Sequence, residues 1–234
     1  MRRGRYRYAA GALLLQALAG CGSPSAEVAE VPGNGALSAA PVLAPVAGPA
    51  RLVLAFGDSL YAGYGLQRGQ SLPDAVQAKL RAEGINATIV NAGVSGDTTA
   101  AGRQRLAFSL NNLPRKPDLV LLGLGGNDVL RQIPPAETRA NMAAMLEELR
   151  RRGIPVLLTG MQAPPNLGPE YVTVFDRIWP DLARQYQAEL YPFILDGVMG
   201  TPALMQGDHV HPNAQGVGRI ADRVTPLVVA RLRG

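Results

Sequence analysis

The chain has 234 residues, 47% of them hydrophobic, one cysteine and a formal net charge of +5. This length suits one domain with a sizeable core, and one cysteine excludes an internal disulfide framework. Four of the positive charges (Arg2, Arg3, Arg5 and Arg7) fall with no acid in the first 20 residues, so the remainder carries about +1 and offers no basic stripe for a nucleic-acid partner.

Behind those arginines, residues 9–19 are apolar and lead into Gly20 and Cys21. A charged start and a short apolar stretch make a secretory signal, too short for a comfortable membrane span. Leu18-Ala19-Gly20-Cys21 resembles the bacterial lipobox, which implies lipidation of Cys21 and a membrane anchor there; the alternative is a lone structural cysteine. By bacterial precedent, Gly22 in place of an aspartate points to the periplasmic face of an outer membrane. Residues 22–50 are rich in Ala, Pro, Gly and Val, nearly uncharged and without periodicity, and read as a tether. The expected organisation is a signal peptide at 1–20, a tether at 21–50 and a folded domain at 51–234.

Within the domain, continuous apolar runs predict strands at 52–56, 87–90, 119–122 and 156–159, with a weaker one at 193–195. Helical periodicity predicts helices at 73–83, 98–110, 137–152, 171–189 and 214–232. Pro73 fits a helix start, and Gly84 and Gly153 fit the position after a helix end. Arg150-Arg151-Arg152 closes the third helix, where cations complement the dipole, and reads as a solvated cap. Fully apolar strands alternating with helices argue for a parallel sheet covered on both faces, a three-layer α/β/α fold.

The first strand runs into Gly57-Asp58-Ser59-Leu60, which puts a serine at the carboxyl edge of the sheet, where open α/β folds bind ligands. An ordinary turn is the competing reading. A serine hydroxyl needs a base, and an imidazole serves as one when a carboxylate fixes its tautomer. Both histidines of the chain lie in Asp208-His209-Val210-His211-Pro212. The spacing lets Asp208 fold against Nδ1 of His211 and aim Nε2 at Ser59, whereas His209 projects differently. A polar loop ahead of a helix capped by Asn213 is the alternative.

Acyl transfer also needs hydrogen-bond donors where the oxyanion develops. Residues 91–98 follow the second strand and offer the Gly93 N–H; Gly125-Gly126-Asn127-Asp128 follows the third and offers the Asn127 amide. Asp97 reads as a helix cap rather than a catalytic acid. Phosphate-loop and dinucleotide fingerprints are missing, and no Cys/His cluster has zinc-ligand spacing, so neither cofactor nor metal is called for.

Ser59, Gly93, Asn127 and His211, in that order and strand context, resemble the SGNH or GDSL hydrolases over nearly all of residues 51–232. The likeness is nearest to the bacterial periplasmic esterases, thioesterases and lysophospholipases. It implies Ser59 as nucleophile, His211 as base, Asp208 as its partner, and an oxyanion hole of the Ser59 N–H, Gly93 N–H and Asn127 side chain. It also implies a flavodoxin-like five-stranded sheet of order 2-1-3-4-5. One departure is Gly123 in Leu122-Gly123-Leu124-Gly125, where members often carry a glutamate. The Pro/Gly-rich residues 161–170 would border an acyl groove, with Met161, Leu167, Tyr171 and Met205 as lining or as core. The implied activity is hydrolysis of aryl or acyl esters, thioesters or lysophospholipids. A carbohydrate O-deacetylase or acyltransferase and a catalytically silent lipid-anchored binding protein are the alternatives.

Overall fold

The structure is a computed structural model that describes residues 45–233. The expected signal, Cys21 and the tether up to residue 44 lie outside the described residues. Five parallel strands, β1 (Arg51–Gly57), β2 (Ala87–Gly93), β3 (Leu119–Gly123), β4 (Val156–Thr159) and β5 (Glu189–Tyr191), form one sheet of order β2-β1-β3-β4-β5. The α/β class and the strand order agree with the expectation. β3 and β4 are buried at every position, as parallel strands covered on both faces should be.

Helices α1 (Ser59–Ala62), α2 (Leu72–Ala82), α3 (Thr99–Asn111), α4 (Gly126–Leu130), α5 (Pro135–Arg151), α6 (Pro169–Asp176), α7 (Ile178–Tyr186) and α8 (Ala214–Arg233) connect and flank the strands. α2 packs on α8, while α5 packs on both α3 and α7. α2 starts at a capping box, in which Ser71 accepts from the Asp74 N–H and Asp74 accepts from the Ser71 N–H. Asn213 caps α8, its Oδ1 accepting from the N–H groups of Gln215 and Gly216. Gly84 and Gly153 follow their helices with φ of 78° and 60°.

Three expectations change. The helix expected over 171–189 is two helices, because Pro180 has no N–H for the Asp176 carbonyl one turn back and its ring crowds that carbonyl. The last strand is Glu189–Tyr191 rather than 193–195: Pro192 lacks the donor to extend the ladder, and the chain turns back as the Ile194 N–H bonds the Gly160 carbonyl. The N-cap of α3 is Thr98, whose side chain accepts from the Ala101 N–H, and not Asp97.

One row of the sheet determines what can sit on its carboxyl edge. Gly93, Gly57 and Gly123 are register partners across β2, β1 and β3. A Cβ at Gly57 would lie 2.5 Å from the Tyr61 ring, one at Gly123 2.4 Å from the same ring, and one at Gly93 2.3 Å from the Ala62 nitrogen. Three glycines thus make the floor on which α1 rests. The space left at Gly123 is filled by Tyr61, whose hydroxyl hydrogen-bonds Thr159 Oγ1 at 2.9 Å.

Candidate active site

Ser59 opens α1 at the carboxyl end of β1, and Asn127 lies in the first turn of α4, just beyond β3. The two strands are neighbours at the point where the strand order reverses, the usual crevice of open α/β sheets. Asp58 caps α1 by accepting from the Leu60 N–H at 3.1 Å, so the tetrapeptide is a helix start with the serine at its first position.

His211 Nε2 lies 2.9 Å from Ser59 Oγ, and His211 Nδ1 lies 2.6 Å from Asp208 Oδ2. Asp208 Oδ1 also accepts from the N–H groups of Val210 and His211, each at 3.0 Å. These bonds, with the backbone N–H of His211 first, hold the Asp208 carboxyl down at about 2. An ionised Asp208 fixes the proton on Nδ1 and leaves the Nε2 lone pair for the Ser59 hydroxyl.

The loop bearing both residues is closed on itself. Met205 and Pro212 form an antiparallel bridge, and the Gln206 N–H donates to the His211 carbonyl at 2.8 Å. Gln206 Nε2 donates to the carbonyls of Tyr64 and Pro212 at 2.7 and 3.0 Å, which joins this loop to the segment after α1. His209 has left-handed backbone (φ 57°), is exposed and borders the cavity without joining the Ser59–His211–Asp208 chain of bonds.

Asn127 is brought to Ser59, but Gly93 is not brought into position as a donor. The Gly93 N–H donates to Asn91 Oδ1 at 2.9 Å, and the residue serves the floor beneath α1. The glycine that borders the cavity is Gly96, with φ of 86°. Among the described residues its N–H has no acceptor, and its carbonyl accepts from Arg131 Nη2 at 3.0 Å. Gly93 closes β2 and Gly96 lies in the loop that follows, and sequence offered no way to see that the strand extends through Gly93 and that its N–H is taken by Asn91. Asn127 Nδ2 donates one hydrogen to the Asp97 carbonyl at 2.9 Å, leaving its second N–H available.

The neighbour of Asn127, Asp128, is fully buried and accepts from the Thr99 N–H at 2.8 Å, Thr99 Oγ1 at 2.5 Å and Thr138 Oγ1 at 3.0 Å. It ties α4 to α3 and α5 and so fixes where Asn127 points. Asp58 is buried as well, and desolvation pushes its carboxyl up to about 6.

Ser59, Asn127 and His211 open into one cavity of about 590 Å³. Its walls are chiefly apolar, from Met161, Ala163, Pro165, Phe193, Leu195 and Met199. Of the expected lining residues only Met161 takes part. Tyr171 instead stacks on Phe175 and donates its hydroxyl to the Ile133 carbonyl, Met205 is buried in its bridge with Pro212, and Leu167 packs against the core. Among the described residues no group of three or more histidine, cysteine or carboxylate side chains converges on a common point.

Residues 55–219 match the model of the GDSL-like lipase/acylhydrolase family. The chain is 41% identical to the esterase TesA of Pseudomonas aeruginosa over 179 residues, covering 76% of this chain and 88% of that one. It is 34% identical to the thioesterase 1/protease 1/lysophospholipase L1 of Escherichia coli over 186 residues, covering 78% of this chain and 87% of that one. The crystal structure of AlinE4, an SGNH-hydrolase family esterase, superposes with a TM-score of 0.68 at 54% identity, over 80% of this chain and 98% of that chain. A match over most of the domain, on the fold and strand order described above, makes this chain a member of the GDSL-like lipase/acylhydrolase family and an ester-hydrolysing enzyme of the SGNH group.

Proposed function

We propose that the protein hydrolyses carboxylic esters through an acyl-enzyme on Ser59. The observation that carries this reading is the chain of bonds from Ser59 Oγ to His211 Nε2 and from Nδ1 to Asp208, opening into an apolar cavity. The Ser59 Oγ–H proton passes to His211 Nε2 as Oγ attacks the carbonyl carbon. The oxyanion that forms is held by the N–H groups of Ser59 and Gly96 and by the free N–H of Asn127 Nδ2. His211 then returns the proton to the departing alcohol or thiol. A water, deprotonated by His211, attacks the acyl carbon, and collapse of that intermediate releases the acid and restores Ser59. Base and donors contribute about a hundredfold or more each.

The apolar lining supports an acyl chain or aryl ring as the bound portion and favours it over the carbohydrate of an envelope deacetylase. Aryl esters, acyl thioesters and lysophospholipids share that feature. We further propose that Cys21 is lipidated and that residues 22–50 tether the domain on the periplasmic side of a membrane. That reading rests on the N-terminal sequence alone; Cys21→Ala or globomycin treatment should release the protein, and unchanged membrane association would reject it.

The catalytic reading is tested with p-nitrophenyl esters of graded acyl length and a fluorophosphonate label. Ser59→Ala should lower turnover by a factor on the order of 10⁵, abolish labelling and leave the melting temperature near that of the parent. Parental hydrolysis by Ser59→Ala would end the reading.

A further inference from the structure

The oxyanion side of the active site is built from the ends of β1, β2 and β3, and one side chain holds the first two directly and the third through Asp97. Arg105, on α3, donates through Nη2 to the Gly57 carbonyl at 2.9 Å, through Nη1 to the Ala92 carbonyl at 2.8 Å, and through Nε to Asp97 Oδ2 at 2.5 Å. Its guanidinium carbon stands 3.9 Å over the Phe56 ring. Gly57 is the last residue of β1 and sits two positions before Ser59; its carbonyl also accepts from the Val94 N–H, which joins it to the loop that carries Gly96. Asp97 follows Gly96, and its main-chain carbonyl holds Asn127 Nδ2. The Arg105 and Asp97 side chains are 21% and 12% exposed, so the ion pair is largely shielded from water, where such bonds count for more.

We propose that Arg105 is the positioning residue of the oxyanion side of this site. Its planar fork holds the end of β1, the end of β2 and, through Asp97, the amide of Asn127 in one frame. Arg105 touches no reacting atom and acts through Asp97 and Gly57. An arginine is required because the three acceptors diverge around one plane; a lysine ammonium supplies the charge without that geometry. The donors in this frame are needed when charge develops on the carbonyl oxygen, so loosening it should lower kcat and leave substrate binding in the cavity nearly unchanged. This rests on the catalytic reading of Ser59 given above.

The test compares Arg105→Lys, the nearly isosteric Asp97→Asn and the double variant with the parent on a p-nitrophenyl ester, alongside melting temperatures. Each single variant should lose about tenfold or more in kcat with KM within about twofold, and the double variant should lose no more than the worse single, since the pair acts as a unit. Should Arg105→Lys fail to fold, Asp97→Asn removes the same ion pair without emptying space and stands alone as the test. Parental kcat in either folded variant, a loss expressed in KM, or losses that multiply in the double variant would overturn the inference. An inert parent unlabelled by fluorophosphonate would instead remove the reading of Ser59, so the two failures are distinguishable.

Discussion

The phenol ring of Tyr64 lies against the imidazole of His211, with centroids 4.6 Å apart and planes inclined at 37°. Tyr64 is 53% exposed, and its carbonyl is held by Gln206 Nε2, so the ring is placed from the histidine's own loop. When His211 takes the Ser59 proton, an aromatic ring beside the imidazolium favours that state by about 1 kcal/mol. Tyr64→Ala should therefore lower kcat/KM about fivefold, while Tyr64→Phe stays within about twofold, in steady-state ester hydrolysis. Equal losses in both variants would assign the effect to the hydroxyl instead.

Asp208 is held well below the usual carboxylate range and stays ionised at any pH suited to the enzyme. Asp208→Asn should cost about 10³–10⁴-fold in kcat, because an amide in its place no longer fixes the proton on Nδ1. The loss should persist from neutral to alkaline pH. A pH–rate profile that recovers on the alkaline side would contradict the tautomer argument.

Asp58 behaves in the opposite sense. Its carboxyl is raised to about 6 by burial, so the folded state holds that proton more tightly than the unfolded chain. The resulting stabilisation is complete below about pH 4 and is lost as pH rises through 6, a difference of about 3 kcal/mol. Asp58→Asn keeps an oxygen to accept from the Leu60 N–H and has no charge to bury. It should melt higher than the parent at pH 8 and equal to it near pH 4. Parallel melting curves across that window would refute the assignment.

Gly93 and Gly96 should separate in their effects. Gly93→Ala places a methyl 2.3 Å from the Ala62 nitrogen and must lift α1, lowering the melting temperature strongly. Gly96→Ala has room for its Cβ, 3.9 Å from the Arg131 guanidinium, but strains a backbone at φ 86° by about 1–3 kcal/mol. It should lose kcat out of proportion to stability. Reversed effects in paired melting and kinetic measurements would return the donor role to Gly93.

The elements that sequence read well are those fixed by local chemistry. Four strands are continuous apolar runs, and Pro73, Gly84 and Gly153 fall at the helix boundaries expected of them. Ser59, Asp208 and His211 were legible because serine and imidazole chemistry demands partners and the chain contains only two histidines. What escaped notice depends on register between distant strands. Gly93 and Gly96 are equivalent in composition, and only pairing with Gly57 separates the packing glycine from the one at the cavity. Arg105 gave no signal, since an arginine inside a helix ordinarily reads as a solvated face. The final strand was misplaced because the apolar residues after Pro192 are buried as a turn, which hydrophobicity alone does not distinguish from a strand.

The Met205–Pro212 bridge and the bond from Gln206 to the His211 carbonyl make base and carboxylate parts of one small rigid body. A disturbance elsewhere in the protein moves Asp208 and His211 together and leaves the imidazole's proton where it was. The contact that such a disturbance stretches is the one between His211 and Ser59, whose partners stand 152 residues apart in the chain. Distant substitutions should therefore weaken attack through the spacing of that single bond.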